Sequence, residues 1–466
     1  MIPFLVTALP GALLLLGSAP LAAAELKLDS RDDIVKSSKT LAKDLISYYK
    51  GEEYGEILGI LPGPPTSGKG GYWWYQGASF WSTYLDYWHW TGDDSYAANT
   101  SRALMSQTGQ NFDFLPANWT ASMGNDDQCF WATAALLAAE YQFPEVEGKP
   151  KWIDLAINAW EQQAGPWRRD NTCNGGLRWQ IPPINAGYDY KQTTSNACFL
   201  NMGARLARLT GNATFAEHAE KTWDWLSEVG FIDDTTWAVY DGAKVERNCT
   251  GINKLQASLN AAFLIQGSAF LYNFTKGSDV WRERTQNLTT PFFRDFFRDG
   301  VLYETGCEGT RGRCTSDFLF MKGYVHRWLS VATQVAPFLA EKVLPGLKDS
   351  AEAAVKQCVE GNSTVSYRCG FYWSSGEFVD PEEDGSTSGV GEGLNVLSAV
   401  SALLVSDAKA PVILSAVGNE TSRDSTQGTS TTGAAATSTV KPGAGPRIGL
   451  DVSLIVGALI AAAWVF

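Results

Sequence analysis

The sequence predicts an all-α protein whose fold is an (α/α)6 barrel, a ring of six helical hairpins. Apolar residues recur at helical spacing along most of the chain. Strand-like stretches such as residues 237–240 are short, and no Pro/Ser-rich linker interrupts the chain before its C-terminal stretch. The candidate helices, as many as six hairpins need, span residues 29–50, 73–91, 94–107, 128–143, 150–163, 193–210, 213–229, 254–274, 278–298, 317–333, 347–360 and 390–405.

Several candidate helices begin at side chains that can accept a hydrogen bond from a free backbone amide. These predicted caps are Asp29, Asp93, Thr193 and Asn212. In a barrel of this kind, the loops at one end of the inner helices line a cleft. The Gly- and aromatic-rich connections that are long enough to do so are 111–127, 165–192 and 231–252.

Both ends of the chain resemble signals for secretion and for a lipid anchor. An apolar stretch from Leu13 to Leu16, followed by small residues before Glu25, is typical of a cleaved signal peptide. The tail is apolar from Val452 onwards and follows a Ser/Thr-rich stretch and a polar spacer, as in a GPI signal. A tail-anchored membrane protein is the alternative. The predicted divisions are a signal peptide at 1–24, a barrel domain at 25–415, a linker at 416–436 and a removed propeptide at 437–466.

The eight cysteines and the glycosylation sequons both fit an oxidising, secretory environment. The predicted disulfides are Cys307–Cys314, Cys358–Cys369 and Cys173–Cys249, while Cys129 and Cys198 are either buried thiols or a bridge. Asn-x-Ser/Thr sequons occur at Asn99, Asn118, Asn212, Asn248, Asn273, Asn287, Asn362 and Asn419.

Charge and motif content exclude several classes of function. A net charge of -13 argues against nucleic acid, whose phosphates need a basic face. The three histidines lie far apart, which argues against an HExxH zinc site and weakens a Ser-His-Asp triad. GxSxG, P-loop and GxGxxG motifs do not occur in the sequence. We therefore expect carboxylate chemistry without a cofactor or a metal.

The adjacent carboxylates Asp126 and Asp127 are the best catalytic candidates. They lie between an aromatic loop and the apolar helix predicted from residue 128. A helix N-terminus there would stabilise one carboxylate as an anion, and the pKa of its close neighbour should rise. One anionic nucleophile and one protonated acid are what a retaining glycosidase needs. The plain alternative for any acidic doublet is a helix cap or a solvated surface.

Aromatic and polar side chains in the same loops are candidates for binding sugar. Rings at helical spacing, such as those between residues 72 and 90, usually form core, but Trp73 and Trp119 are better placed to stack on sugar rings. The loop residues that can bind sugar hydroxyls are Asn125, Gln180, Lys191, Asn196 and Asp241. Each of these polar residues taken alone has a structural role as its alternative.

Four motifs together resemble glycoside hydrolase family 76. They are Gly-Asn-Asp-Asp-Gln at 124–128, Cys-Asn-Gly-Gly-Leu-Arg-Trp-Gln at 173–180, Gly-Tyr-Asp-Tyr-Lys at 187–191 with Ser195 and Asn196, and Val-Tyr-Asp-Gly at 239–242. The resemblance runs from about residue 28 to residue 404. It is greatest to the fungal, GPI-anchored cell-wall branch labelled mannan endo-1,6-α-mannosidase. One departure is Ala-Ser-Leu-Asn at 257–260, where relatives carry Trp-Thr-Tyr-Asn.

The family resemblance implies an (α/α)6 fold and retaining action on α-1,6-mannosyl linkages without a metal. It also implies Asp126 as the nucleophile and Asp127 as the general acid/base. The departure at 257–260 removes two aromatic rings, so we expect a glycan cleft of altered shape.

The branch implies an extracellular enzyme, held in the cell wall or at the outer leaflet of the plasma membrane by a GPI anchor. Its expected partners are a mannose-containing glycan (the GPI core or α-1,6-mannan), cell-wall glucan as the acceptor, and the membrane. The expected activity is transfer of GPI-anchored wall proteins, through their anchor glycan, onto glucan. The alternatives are a plain endo-α-1,6-mannanase and a non-catalytic, mannan-binding wall protein.

Overall fold

Two rings of helices make up the computed structural model, which describes residues 25–64, 71–384 and 389–414. The inner ring consists of α2 (Trp74–Thr91), α4 (Asn125–Glu140), α6 (Thr193–Thr210), α8 (Ser258–Phe274), α10 (Met321–Val335) and α13 (Val390–Ala402). The outer ring consists of α1 (Arg31–Ile46), α3 (Ala97–Ser106), α5 (Trp152–Ala164), α7 (Ala213–Glu228), α9 (Asp279–Asp295) and α11 (Ala340–Val355). A four-residue helix, α12 (Pro381–Asp384), precedes α13.

Contacts between neighbouring inner helices close the inner ring. The order of contact is α2, α4, α6, α8, α10 and α13, and α13 contacts α2 again. Each outer helix packs against its chain neighbour in the inner ring, for example α5 against α4 and α7 against α6. This is the (α/α)6 barrel that the sequence predicts, and the prediction is confirmed.

The inner and outer helices differ in how many of their faces are buried. In α6, every residue from Ser195 to Leu209 is buried, because neighbouring helices cover it on all sides. Charged side chains inside the ring form ion pairs, as between Arg205 and Glu140, whose closest atoms are 2.5 Å apart. The outer helix α7 buries a single stripe, made of Phe215, Ala219, Thr222, Trp223, Trp225 and Leu226.

Helix α4 begins earlier than the sequence predicts, and this places the acidic pair inside a helix. It starts at Asn125 rather than residue 128, after Gly124, whose extended backbone (φ -89°, ψ 164°) makes it the N-cap. The boundaries of other helices also move: α10 begins at Met321 rather than residue 317, and α11 begins at Ala340 rather than residue 347.

The predicted helix caps are partly correct. The Asn212 side chain accepts a hydrogen bond of 3.0 Å from the Thr214 amide and caps α7, as predicted. Ser30, rather than Asp29, caps α1 by accepting from the Asp33 amide. Residue 93 does not cap α3, whose N-cap is Tyr96, and Thr193 is the first residue of α6 rather than its cap.

Short strands organise the loops at one end of the barrel. Strands β1 (Tyr190–Gln192), β2 (Gly242–Lys244) and β3 (Ile252–Asn253) form an antiparallel sheet. The strand-like stretch 237–240 contributes only an isolated bridge between Val239 and Ile232. Two hairpins are formed by β4 (Phe297–Arg298) with β5 (Val301–Leu302) and by β6 (Cys358–Glu360) with β7 (Tyr367–Cys369).

All eight cysteines form disulfides. The three predicted pairs are confirmed, and Cys129 and Cys198 form the fourth bridge rather than remaining thiols. Because Cys129 lies on α4 and Cys198 on α6, this bridge holds together two neighbouring inner helices near their first turns.

The predicted signal peptide, linker and propeptide fall outside the described residues. Within the part of the chain that is described, no helix combines the length and the apolarity needed to cross a bilayer.

Candidate active site

The first turns of five inner helices converge on one cleft. The cleft has a volume of about 760 Å³, within the range of sites that bind small ligands. Its lining comes from the starts of α2, α4, α6, α8 and α10 and from the loops between them. The three predicted connections each contribute to the lining, represented by Trp119, Trp179 and Asp241.

Asp126 and Asp127 lie in the first turn of α4 at the cleft. The helix itself supplies the turn that brings the two carboxyl groups together. Gly124 is needed for a different reason: a Cβ atom there would clash with Oδ1 of Asp126 and crowd Oδ2 of Asp127. The glycine therefore leaves room for both carboxyl groups beside the N-cap.

Each carboxyl group has its own hydrogen-bond donor. Gln192, the last residue of β1, donates from Nε2 to Oδ2 of Asp126 at 2.6 Å. The backbone amide of Gly124 donates to Oδ2 of Asp127, also at 2.6 Å. Gln192 also donates to Ser195 Oγ at 3.2 Å, which fixes the orientation of its amide.

The two carboxyl groups titrate differently. Burial raises the pKa of Asp126 to about 6, against the lowering effect of the Gln192 hydrogen bond and of nearby backbone amides. Burial raises the pKa of Asp127 well above its usual range, and the negative charge of Asp126 raises it further. Between the two pKa values, Asp126 is ionised and Asp127 holds a proton.

A third carboxylate, Asp317, lies in the same cleft and was missed by the sequence reasoning. It accepts a hydrogen bond of 2.6 Å from the hydroxyl of Tyr75, the second residue of α2. The only signal in the sequence was an acidic residue at the start of the helix predicted from 317. Its partner lies 242 residues away, so the pair cannot be recognised from spacing.

Four of the predicted sugar-binding residues line the cleft. Trp73 and Trp119 present aromatic rings, and 43% of the Trp73 surface is exposed, which leaves its ring free to stack. Gln180 accepts a hydrogen bond of 3.0 Å from Asn185, another lining residue. Asp241 accepts hydrogen bonds from Tyr190 (2.6 Å) and Asn253 (3.0 Å). Their contact with sugar stays a prediction.

The other three predicted binding residues are not among those that line the cleft. Asn125 is buried and joins α4 to the connection 165–192, donating to the Arg178 carbonyl at 2.9 Å. Asn196 is buried and hydrogen-bonds both backbone groups of Leu177. These amides satisfy backbone groups of the loop, so they are not free to bind sugar.

Lys191 also points away from the cleft. Its side chain is 0% exposed and its Nζ contacts Asp170 at 3.0 Å, the Thr172 carbonyl at 2.6 Å and the Gly175 carbonyl. The three donors of the ammonium group are therefore used inside the protein. These partners lie 16 to 21 residues away along the chain, so the sequence did not show that Lys191 was already bound inside the protein. The prediction that Lys191 binds sugar is therefore not supported.

The residues at the departure, 257–260, form part of the cleft wall. Ala257, Leu259 and Asn260 line it, and Asn260 accepts a hydrogen bond of 2.7 Å from Thr194. Ser258 points away and donates to the buried carboxyl group of Glu304. Small and aliphatic side chains thus occupy the wall where the family resemblance implied two aromatic rings.

The cleft lining is acidic. It includes four aspartates and, among the described residues, no lysine, arginine or histidine. Within the described part of the chain, no group of three or more His, Cys, Asp or Glu side chains is arranged to hold a metal ion. The acidic side chains that line the cleft are Asp126, Asp127, Asp241 and Asp317.

Two unlike carboxyl groups on one helical turn, in a cleft with aromatic walls, are an arrangement typical of glycosidases. The chain belongs to glycosyl hydrolase family 76, whose family model matches residues 33–415. The resemblance drawn from the four sequence motifs is thereby confirmed.

Fungal relatives cover most of the chain. It is 37% identical over 391 residues to the mannan endo-1,6-alpha-mannosidase DCW1 of Saccharomyces cerevisiae, covering 84% of this chain and 83% of the relative. It is 34% identical over 392 residues to DFG5 of the same yeast, covering 84% and 82%.

Solved structures support the same fold. Dfg5 from Chaetomium thermophilum, in complex with glucosamine, is 55% identical, covers 83% of this chain and 94% of its own, and superposes with a TM-score of 0.81. An inactive variant of the α-1,6-mannanase GH76A of Salegentibacter sp. HEL1_6, in complex with α-1,6-mannotriose, is 14% identical. It covers 80% of this chain and 99% of its own, with a TM-score of 0.60, and supports the fold alone.

Proposed function

We propose that the chain is a retaining glycosidase and transglycosidase that acts on α-1,6-mannosyl linkages, with Asp126 as nucleophile and Asp127 as general acid/base. The observation that carries the proposal is the unequal environment of the two carboxyl groups. Asp126 accepts from the side chain of Gln192 and has the lower pKa, whereas Asp127 accepts from the Gly124 backbone amide, lies beside the Asp126 anion and keeps its proton.

In the first step, a carboxylate oxygen of Asp126 attacks the anomeric carbon while the bond to the glycosidic oxygen breaks. Asp127 gives its proton to that oxygen, so the leaving sugar departs neutral and Asp127 becomes a carboxylate. In the second step, Asp127 takes a proton from an acceptor hydroxyl. The acceptor oxygen attacks the same carbon, and Asp126 leaves as a carboxylate.

The donor that we propose is a mannose-containing glycan, either the GPI core or α-1,6-mannan. The names of the yeast relatives support α-1,6-mannosyl linkages, and the aromatic rings of Trp73 and Trp119 suit the apolar faces of sugars. The acidic lining is compatible with a glycan that carries a protonated amine, and the Chaetomium relative holds glucosamine. These observations favour a GPI-type glycan over uncharged mannan.

The acceptor that we propose is cell-wall glucan, so that GPI-anchored proteins are moved onto the wall. A covalent glycosyl-enzyme intermediate can be intercepted by a sugar hydroxyl as well as by water. The second candidate is plain endo-α-1,6-mannanase activity, which the names of the relatives favour. The third candidate is a mannan-binding wall protein without activity.

We further propose that the barrel, residues 25–415, is carried through the secretory route and held outside the cell by a GPI anchor. The signal-like N-terminus and the small-residue, spacer and apolar-tail pattern support this. Removing residues 452–466 is expected to release the protein into the medium. Full-length protein that stays in membranes after phosphatidylinositol-specific phospholipase treatment, with its tail detected by mass spectrometry, would contradict the anchor.

The experiment that separates the candidates is incubation of the purified protein with a defined α-1,6-mannoside, with and without a labelled β-glucan oligosaccharide. Label in a mannosylated product indicates transfer, free mannoside fragments alone indicate a mannanase, and binding without turnover indicates a lectin-like protein. A parallel donor in which an unacetylated glucosamine is attached tests the preference for a cationic glycan.

A further inference from the structure

Asp317 faces the cleft, and the proposed mechanism gives it no step. It precedes the 3₁₀ turn Phe318–Phe320 that leads into α10. Tyr75 holds it in place through a hydrogen bond of 2.6 Å from the phenolic hydroxyl to Oδ1. Because the phenolic O–H of Tyr75 donates its hydrogen bond to Asp317, it is not free to protonate a departing sugar.

The contacts of Tyr75 fix Asp317 relative to the helix that bears the catalytic pair. The Tyr75 ring packs against Phe130 on α4, with ring centroids 4.9 Å apart. The next residue, Gln76, donates to the Ser316 carbonyl at 3.0 Å. Two consecutive residues of α2 therefore hold two consecutive residues at 316–317, and the carboxylate cannot turn away without breaking these contacts.

The charge of Asp317 acts on both catalytic groups. Its negative charge raises the pKa of Asp126 and of Asp127. At Asp126, the Gln192 hydrogen bond opposes this effect. At Asp127, only the Gly124 amide opposes it. The ionisable groups that interact with Asp127 are Asp126 on its own helix, Asp317 before α10 and Tyr75 on α2. Tyr324 on α10 interacts with Tyr75, and Asp241 lines the same cleft.

We propose that Asp317, fixed by Tyr75, is a positioning residue that keeps the transferable proton on Asp127 while Asp126 is ionised. This inference rests on the proposed function, since it needs Asp127 to act as the acid. Burial raises the pKa of Asp317, and the hydrogen bond from Tyr75 opposes that rise. Above this pKa, the anion at Asp317 opposes a further ionisation beside it, so the proton stays on Asp127 until the leaving oxygen takes it. In the second step, the same anion makes the Asp127 carboxylate a stronger base toward the acceptor hydroxyl.

Asp317→Asn tests this directly, because the amide removes the charge and keeps an acceptor for Tyr75. In a profile of kcat/KM against pH, the basic limb reports loss of the Asp127 proton. We expect the basic limb of the variant to move to lower pH by about one unit, the low end for loss of a close like charge. Asp317→Ser is a second neutral replacement that guards against a folding failure of the first.

Asp241→Asn is the matched control. Asp241 also lines the cleft and accepts a tyrosine hydroxyl at 2.6 Å, from Tyr190, but its charge is not one of those that raise the pKa of Asp127. This variant is expected to keep the basic limb in place, whatever happens to KM. If both aspartate variants moved the limb equally, or neither did, the positioning role of Asp317 would be contradicted.

A second readout does not depend on activity. The difference in unfolding free energy between the parent and Asp127→Asn changes with pH around the pKa of Asp127, because only the parent titrates there. When both proteins also carry Asp317→Asn, the difference in unfolding free energy should change at a lower pH. If the parent enzyme is inactive, only the proposed function is contradicted. If the stability difference changes at the same pH with and without the Asp317→Asn substitution, the inference about Asp317 is contradicted.

Discussion

The two sides of the cleft are each organised around a buried lysine, but with opposite balances of charge. On one side, residues 165–192 with strands β1–β3 form a sheet wall, in which Lys191 and Arg178 share the carboxylate of Asp170 at 3.0 and 2.5 Å. On the other side, Glu304, Glu308 and Asp317, with the buried Lys322, form an acidic wall. Both lysine side chains are 0% exposed.

The acidic wall contains two buried carboxyl groups, Glu304 and Glu308, and only Glu308 forms an ion pair with Lys322. Lys322 contacts Glu308 at 2.9 Å and donates to the Phe371 carbonyl at 2.8 Å. Glu304 accepts from the side chain and backbone of Ser258 instead, and burial raises its pKa to about 7. The second carboxyl group is thus kept neutral below that pH rather than paired with its own cation.

The two walls place different groups beside the catalytic pair, Asp126 and Asp127. The sheet wall ends in Gln192, a neutral donor that stabilises the anionic form of Asp126. The acidic wall ends in Asp317, whose negative charge, when it is ionised, raises the pKa of Asp127. A site that needs one anion and one acid can therefore be built from two identical residues, if the two walls have different chemistry.

The largest expected effect on activity comes from replacing the catalytic pair, Asp126 and Asp127. Asp126→Asn and Asp127→Asn should each lower turnover of an α-mannoside by on the order of a thousandfold, because each removes a separate chemical step. Initial rates on a defined mannoside, with circular dichroism as the folding check, measure this.

Stability should not fall in these two variants at neutral pH. Burial raises the pKa of both groups, so ionising them in the folded state costs free energy that an amide does not. Near-parental activity in either variant, with helicity intact, would contradict the roles of Asp126 as nucleophile and Asp127 as general acid/base.

Removing the donor of the sheet wall should have a smaller effect. Gln192→Ala takes away the 2.6 Å hydrogen bond that lowers the pKa of Asp126. We expect a loss of roughly tenfold in kcat/KM near neutral pH and a shift of the acidic limb to higher pH. Ser195→Ala is the control, since it removes the other contact of Gln192 and keeps the one to Asp126. An unmoved acidic limb in Gln192→Ala would show that this wall does not set the pKa of Asp126.

The acidic wall makes a prediction about stability against pH. The pKa of Glu304 is raised from 4.5 to about 7 in the folded protein, so the folded state binds the extra proton between these values. Its contribution is full below about pH 4.5 and is lost as pH rises through about 7, by on the order of 3 kcal/mol. Glu304→Gln should therefore flatten the fall in melting temperature between pH 5 and pH 8.

The control for this measurement is Glu377→Gln, at a carboxylate that is mostly exposed. It should leave the pH dependence of the melting temperature close to that of the parent. A Glu304→Gln variant that still follows the parental curve would mean that another group carries the dependence.

The barrel could be predicted because its inner and outer helices leave periodic apolar patterns in the sequence. The start of α4 could not, because residues 125–128 are polar and the apolar pattern resumes at Cys129. Polar residues in a first turn look like loop when only burial periodicity is read. The acidic pair was therefore placed beside the helix rather than in it.

The roles of single polar residues were harder to predict than the fold. Lys191 and Asn196 belong to motifs of the family resemblance, yet both satisfy buried backbone groups. Asp317 was overlooked because Tyr75 lies far away in sequence. A charged residue binds substrate or supports a loop according to which partners the fold brings to it, and sequence spacing gives no measure of that.

The anomeric configuration of the first-formed product tests the central claim most directly. If Asp126 attacks as a nucleophile and Asp127 acts first as acid and then as base, two displacements restore the starting configuration. Proton NMR of the reaction with an α-mannoside should therefore show the α-anomer first, with the β-anomer growing in by mutarotation. A β-anomer appearing first would mean a single displacement by water, and would contradict both the assigned roles and the transfer reaction.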